Sequence, residues 1–128
     1  MTRMPPRPTE TELEILRVLW ERGPSTVRQV HEALAAARET GYTTTLKLMQ
    51  IMADKGLVTR DESTRTHVYA ARVSQETTQR QLVSHLVERA FGGSAAELVL
   101  RALSSHETSD AELREIRKLI DEAQEDRK

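Results

Sequence analysis

Residues 42–71 read YTTTLKLMQIMADKGLVTRDESTRTHVYAA, and the hydrophobic period changes partway along this stretch. The first half is helical. At about 100° per residue, Thr45, Leu48, Met49 and Met52 fall within one arc of about 100°. Thr43, Lys47, Gln50 and Asp54 fall within an arc of about 60° on the other side. This pattern predicts a helix from about Tyr42-Thr43 that packs by one face and offers a narrow polar stripe by the other. It closes at Lys55-Gly56, glycine standing at the usual stop position. Beyond it, LVTRDE and THVYAA alternate apolar and polar residues around a polar turn at Ser63-Thr64. That alternation predicts a two-stranded hairpin.

Working outward, two shorter helices precede this segment. Thr9 with Glu12, and Thr26 with Gln29, have the spacing of capping boxes, in which each side chain satisfies the other residue's free amide. The first helix carries an apolar stripe of Leu13, Leu16, Val18, Leu19 and Trp20 and stops at Gly23-Pro24. The second is expected to bury Val27, Val30, Leu34 and Ala37 and to end near Gly41. The leading MTRMPPRP is proline-rich and reads as extended. Three short helices followed by a hairpin are the outline of a winged helix-turn-helix.

After the hairpin the pattern is helical again. Ser74 opens a helix with Leu82, Val83, Leu86, Val87 and Phe91, broken by Gly92-Gly93. Ser94 with Glu97 starts a short helix carrying Leu98, Val99, Leu100, Ala102 and Leu103. Ser109 with Glu112 starts a last one, with Leu113, Ile116, Leu119 and Ile120 at coiled-coil-like spacing. The expected fold is therefore mainly α with a small β-hairpin: a winged-helix domain over residues 1–72 and a C-terminal helical dimerisation domain over 73–128. The latter is too small to bury a stable core alone. A second copy of the chain is the economical partner, through Leu86, Phe91, Leu98, Val99, Leu100 and Leu103, and Leu113, Ile116, Leu119 and Ile120 of the last helix.

Composition narrows the function classes. The chain has 128 residues, 30% charged and 38% apolar, which suits a folded soluble protein. It contains no cysteine, so disulfides and thiolate metal sites are excluded. No apolar run reaches membrane-spanning length and the start lacks a signal-peptide core, so a cytoplasmic location without membrane attachment is expected. Residues 1–72 carry 11 Lys+Arg against 9 Asp+Glu (+2), and residues 73–128 carry 8 against 11 (−3). A mildly basic front and an acidic back suit a nucleic-acid reader joined to an association module.

No Gly-rich phosphate loop, nucleophile elbow or metal-ligand motif occurs, and His31, His67, His85 and His106 are scattered singly over different elements. Neither an enzyme nor a cofactor is expected. Binding of double-stranded DNA has more support. In a helix-turn-helix the second helix enters the major groove by its N-terminal turns, which here present Tyr42, Thr43 and Thr44, then Lys47 and Gln50. Hydroxyls and helix-terminal amides suit phosphate oxygens, threonine methyls suit the thymine methyl, and lysine reaches guanine acceptors or phosphate. The competing reading makes Thr43 and Thr44 simple caps, with one of the three threonines capping in either case. Thr45 should face the core. Arg60 and Arg65 flank the hairpin turn as wing residues, with Arg3 and Arg7 weaker candidates in the leading arm. The alternative function is a winged helix used as a protein-interaction adaptor.

Taken in order, TETELEILRVLW (9–20), TVRQVHEAL (26–34), YTTTLKLMQIMADKGLVTRD (42–61), HVYAA (67–71), GGSAAELVLRAL (92–103) and SDAELREIRKLIDE (109–122) resemble the penicillinase/methicillin repressor family. The resemblance implies a homodimeric repressor on a dyad-symmetric, pseudo-palindromic operator. The family's major-groove positions fall at Thr43, Thr44 and Lys47, with Tyr42 beside them and Arg65 at the wing. It also brings in a sensor or protease as partner, of no identified kind here. Three departures accompany it. Ile51 stands where relatives often carry arginine. Arg101-Ala102 stands where the β-lactam-responsive members carry a cleavable Asn-Phe bond. The Cys-x-Cys pair of copper-responsive relatives is absent.

Overall fold

A computed structural model describes residues 6–127, so Arg3 lies outside the described residues. The chain divides into two compact units, one running to Val83 and the other starting at Ser84. The first holds helix α1 (Glu10–Arg22), strand β1 (Ser25–Thr26), helices α2 (Val27–Ala35) and α3 (Tyr42–Lys55), strands β2 (Val58–Asp61) and β3 (Val68–Ala71), and the first half of α4 (Gln75–Ala90).

Both N-terminal capping boxes form as the spacing requires. The Thr9 amide donates to Glu12 Oε1 at 2.9 Å, and the Glu12 amide donates to Thr9 Oγ1 at 3.2 Å. Thr26 and Gln29 repeat this pattern at 2.9 and 3.2 Å. The core beneath them is aliphatic: Ile15, Leu16 and Leu19 of α1 meet Val27, Val30 and Leu34 of α2, Met49 and Met52 of α3, and Leu57, Val58 and Tyr69 of the sheet. Leu13 is half-buried, while Val18 and Trp20 pack on the edge of the core, where the Trp20 indole donates to the Val73 carbonyl at 3.0 Å. Ile15, absent from the expected stripe, lies at its centre. Helix α2 stops at Ala35, short of Gly41, and leaves Ala37 exposed.

The hairpin forms, with Arg60 opposite Tyr69 and Asp61 opposite Val68, but the sheet has a third strand. Ser25 pairs with Tyr69 and Thr26 with Val68, so β3 lies between β1 and β2. Two residues are too few to show a period-two pattern, which is why sequence alternation missed β1.

Helix α3 is fixed at both ends. At its C-terminus Gly56 adopts φ 83° and ψ 15°, a left-handed conformation. The Gly56 amide donates to the Ala53 carbonyl at 3.2 Å and the Leu57 amide to Met52 at 2.9 Å, which closes a Schellman turn. The same end is tied to α1 by the Lys55 ammonium, which donates to both oxygens of Glu12 at 3.1 and 2.9 Å. The Glu12 side chain is only 2% exposed. Burial works against its ionisation, but the Thr9 amide and the Lys55 ammonium outweigh that and hold the carboxyl below its ordinary range.

The second unit holds the rest of α4, then α5 (Ala95–Ser105) and α6 (Asp110–Glu125). Gly92 and Gly93 take positive φ values of 55° and 85°, ending α4 where the doubled glycine predicts. Ser109 and Glu112 complete a capping box, whereas Ser94 accepts from the Glu97 amide without the return bond. Neither α5 nor α6 contains a buried residue. Among the described residues no helix is long and apolar enough to cross a membrane.

Candidate nucleic-acid interface

The polar stripe of α3 is open along its length. Tyr42, Thr43, Thr44, Lys47, Gln50 and Asp54 are exposed, whereas Thr45, Met49 and Met52 are buried. Thr45 turns inward and donates its hydroxyl to the Gly41 carbonyl at 3.3 Å. The expectation that a threonine caps α3 is corrected here. The N-cap is Gly41, which makes no side-chain cap bond, because the helix starts two residues earlier than a cap at Thr43, the first of the threonines, requires. The amides of the first turn are left for an outside acceptor, at the end of the helix that carries partial positive charge. The hydroxyls of Thr43 and Thr44 have no capping task to occupy them.

Tyr42 opens the helix, 45% exposed, with its ring edge-on to His31 of α2 at a centroid distance of 5.8 Å. Beside it lies a cleft of about 550 Å³ between the start of α2, α3 and the hairpin. This cleft brings Tyr42 and Gln50 together with Arg60 and Arg65. Thr43, Thr44 and Lys47 are not among its lining residues and belong to the open stripe. Sequence reasoning missed two further members, Arg28 and His67. Arg28 follows the second capping box directly, at the start of the first helix of the helix-turn-helix pair, and that position was the available signal. No comparable signal marked His67, because its place depends on how the hairpin folds back.

The charge of the cleft is one-sided. Arg28, Arg60, Arg65 and His67 line it, and no carboxylate does. The whole chain carries 19 Lys+Arg and 20 Asp+Glu, so this separation is a local arrangement and not a reflection of composition. Arg60 is partly engaged, paired with Glu62 at 2.7 Å and pushed above its ordinary pKa by Tyr69 first and Glu62 second. Among the described residues Arg28, Lys47 and Arg65 form no ion pair. The turn between β2 and β3 is shaped by Asp61, which accepts the Ser63 amide at 2.9 Å. Ser63 holds that carboxyl below its usual range. An exposed turn carrying Arg65, beside a helix carrying hydroxyls and a lysine, suits a polyanion with a groove.

The family model described as penicillinase repressor matches residues 8–122. The transcriptional regulator BlaI of Mycobacterium tuberculosis, from strains CDC 1551 / Oshkosh and ATCC 25618 / H37Rv, is 34% identical in each case, over 77% of this chain and 83% of the relative. The solution structure of the DNA-binding domain of the repressor BlaI matches with a TM-score of 0.51 at 19% identity. That match covers 58% of this chain and 90% of the solved one, a likeness of fold.

Proposed function

Because the chain belongs to the penicillinase repressor family, we propose that it is a transcriptional repressor that binds a dyad-symmetric operator as a homodimer. One observation carries the DNA reading: an uncapped recognition helix with free threonine hydroxyls stands beside a cleft lined by three arginines and no carboxylate. In this reading α3 enters the major groove by Thr43, Thr44 and Lys47, and Gln50 lies deeper along the same stripe. Arg60 and Arg65 bring the hairpin to the flanking backbone or minor groove. Asp54, at the far end, tilts that end away from phosphate.

Dimerisation draws on the second unit. Leu100 is 58% exposed, Leu119 55% and Ile120 51%, and Leu86, Val99, Leu103 and Leu113 are also exposed. Phe91, Leu98 and Ile116 are half-buried. So much apolar surface on a unit whose α5 and α6 contain no buried residue calls for a partner surface. A second copy supplies one and gives two recognition helices to match a palindrome.

The experiment is a titration of DNA from upstream of the chain's own gene with wild type and with Thr44→Ala/Lys47→Ala. The wild type is expected to bind saturably and sequence-selectively, and the double variant at least about tenfold more weakly, as loss of about 1–3 kcal/mol per base contact implies. Unchanged affinity in the double variant removes α3 as the recognition element. An absence of wild-type binding at about 50 mM salt, where phosphate contacts are strongest, favours the adaptor reading.

A further inference from the structure

We infer that His67 and Arg28 together hold a backbone phosphate of bound DNA, and that the His67 contact takes up a proton as the DNA arrives. The inference rests on the DNA reading above and adds to it two ligands and a linkage. His67 sits at the end of the hairpin loop, exposed, and lines the same cleft as Arg28. The charged and titratable groups around that cleft come from every element that forms it. They are Arg28 of α2, Tyr42 of α3, Arg60 of β2, Arg65 of the loop and Tyr69 of β3, with Glu62 paired to Arg60 and Asp61 opposite Val68, the neighbour of His67. No carboxylate lines the cleft itself, so an anionic acceptor for Arg28 and His67 has to come from a ligand.

A phosphate entering the cleft supplies that acceptor. Its charge favours the protonated imidazole, and a ring nitrogen that carries a proton can donate to a phosphate oxygen, as the guanidinium of Arg28 does. Histidine as a residue type titrates between about pH 5 and 8, so the exchange falls in an accessible range. Because the complex then holds more protons than the free partners, affinity rises as pH falls. The limit is about tenfold per pH unit for one full proton.

The test measures binding of a short mixed-sequence duplex at low, constant ionic strength from about pH 6 to pH 8, the span in which imidazole changes charge. Wild type is expected to bind several-fold more tightly at the acid end. His67→Gln is expected to lose most of the pH slope and to bind more weakly than wild type at the acid end, and His67→Arg to bind tightly throughout. Arg28→Gln is expected to weaken binding at every pH and to lower the salt slope by about one. His67 is exposed in a loop, so thermal unfolding of its variants should match wild type. A His67→Gln variant that keeps the wild-type slope overturns the inference. A wild type that binds no duplex at any pH overturns the DNA reading itself, and the two failures are distinct.

Discussion

Replacing Glu12 by glutamine should destabilise the first unit by an amount that depends on pH in a defined way. The Glu12 carboxylate is 2% exposed and accepts three bonds, one from the Thr9 amide and two from the Lys55 ammonium. Glutamine retains an acceptor for the Thr9 amide, as Gln29 does for Thr26 in this same chain. What it loses is the charge-assisted pair with Lys55. Hydrogen bonds to charged groups contribute about 1.5–3 kcal/mol. Because the Lys55 side chain is 33% exposed, water screens part of the attraction. The lower half of that range, about 1.5–2 kcal/mol, is therefore expected. Glu12→Ala also gives up the cap bond and should cost about 1 kcal/mol more. Lys55→Met should be the most damaging, at about 3 kcal/mol, since it strands a buried carboxylate. The folded-state pKa of Glu12 is lowered from 4.5, so its contribution is complete above that value and is lost as pH falls through the lowered one. Urea unfolding at a series of pH values reads both effects. The gap between wild type and Glu12→Gln should be widest near neutrality and close in acid. A glutamine variant as stable as wild type at neutral pH, or a gap that persists in acid, would refute the reasoning.

Gly56→Ala should destabilise by about 1–2 kcal/mol in the same unfolding assay, because an L side chain at a positive φ is strained. A neutral outcome would mean that the Schellman turn does not set the end of α3. Charged residues in place of Leu98 and Leu100 should give monomers by analytical ultracentrifugation. Operator affinity should fall by about 10²-fold or more as the two half-sites cease to act together. A dimer that survives both changes would place the interface elsewhere.

The local rules of the sequence carried the fold a long way. Capping boxes at Thr9, Thr26 and Ser109 fixed helix starts because each is a contact between residues three apart. Glycine at 56 and at 92–93 fixed helix ends because the backbone there needs positive φ. The methionine face and the threonine-lysine face of α3 were legible from angular spacing alone. Whatever depends on distant partners was not legible. Glu12 reads as a solvated cap residue until Lys55, far along the chain, is seen to cover it. Strand β1 exists only because β3 offers an edge to Ser25 and Thr26. Arg28 and His67 meet in one cleft only after the hairpin folds back beside α2. The cap of α3 was not legible for a related reason. Three consecutive threonines suggest a side-chain cap, yet burying Thr45 sets the helix register and leaves the cap to Gly41.

Footprinting on the DNA upstream of the chain's own gene tests the central claim most directly. A homodimer presenting two copies of α3 should protect a pseudo-palindrome. Its half-site centres should lie about one helical turn, 10–10.5 base pairs, or a multiple of that apart. Lys47→Ala should abolish the protection at concentrations where wild type saturates. Protection without dyad symmetry, or protection that survives in the lysine variant, would contradict the account.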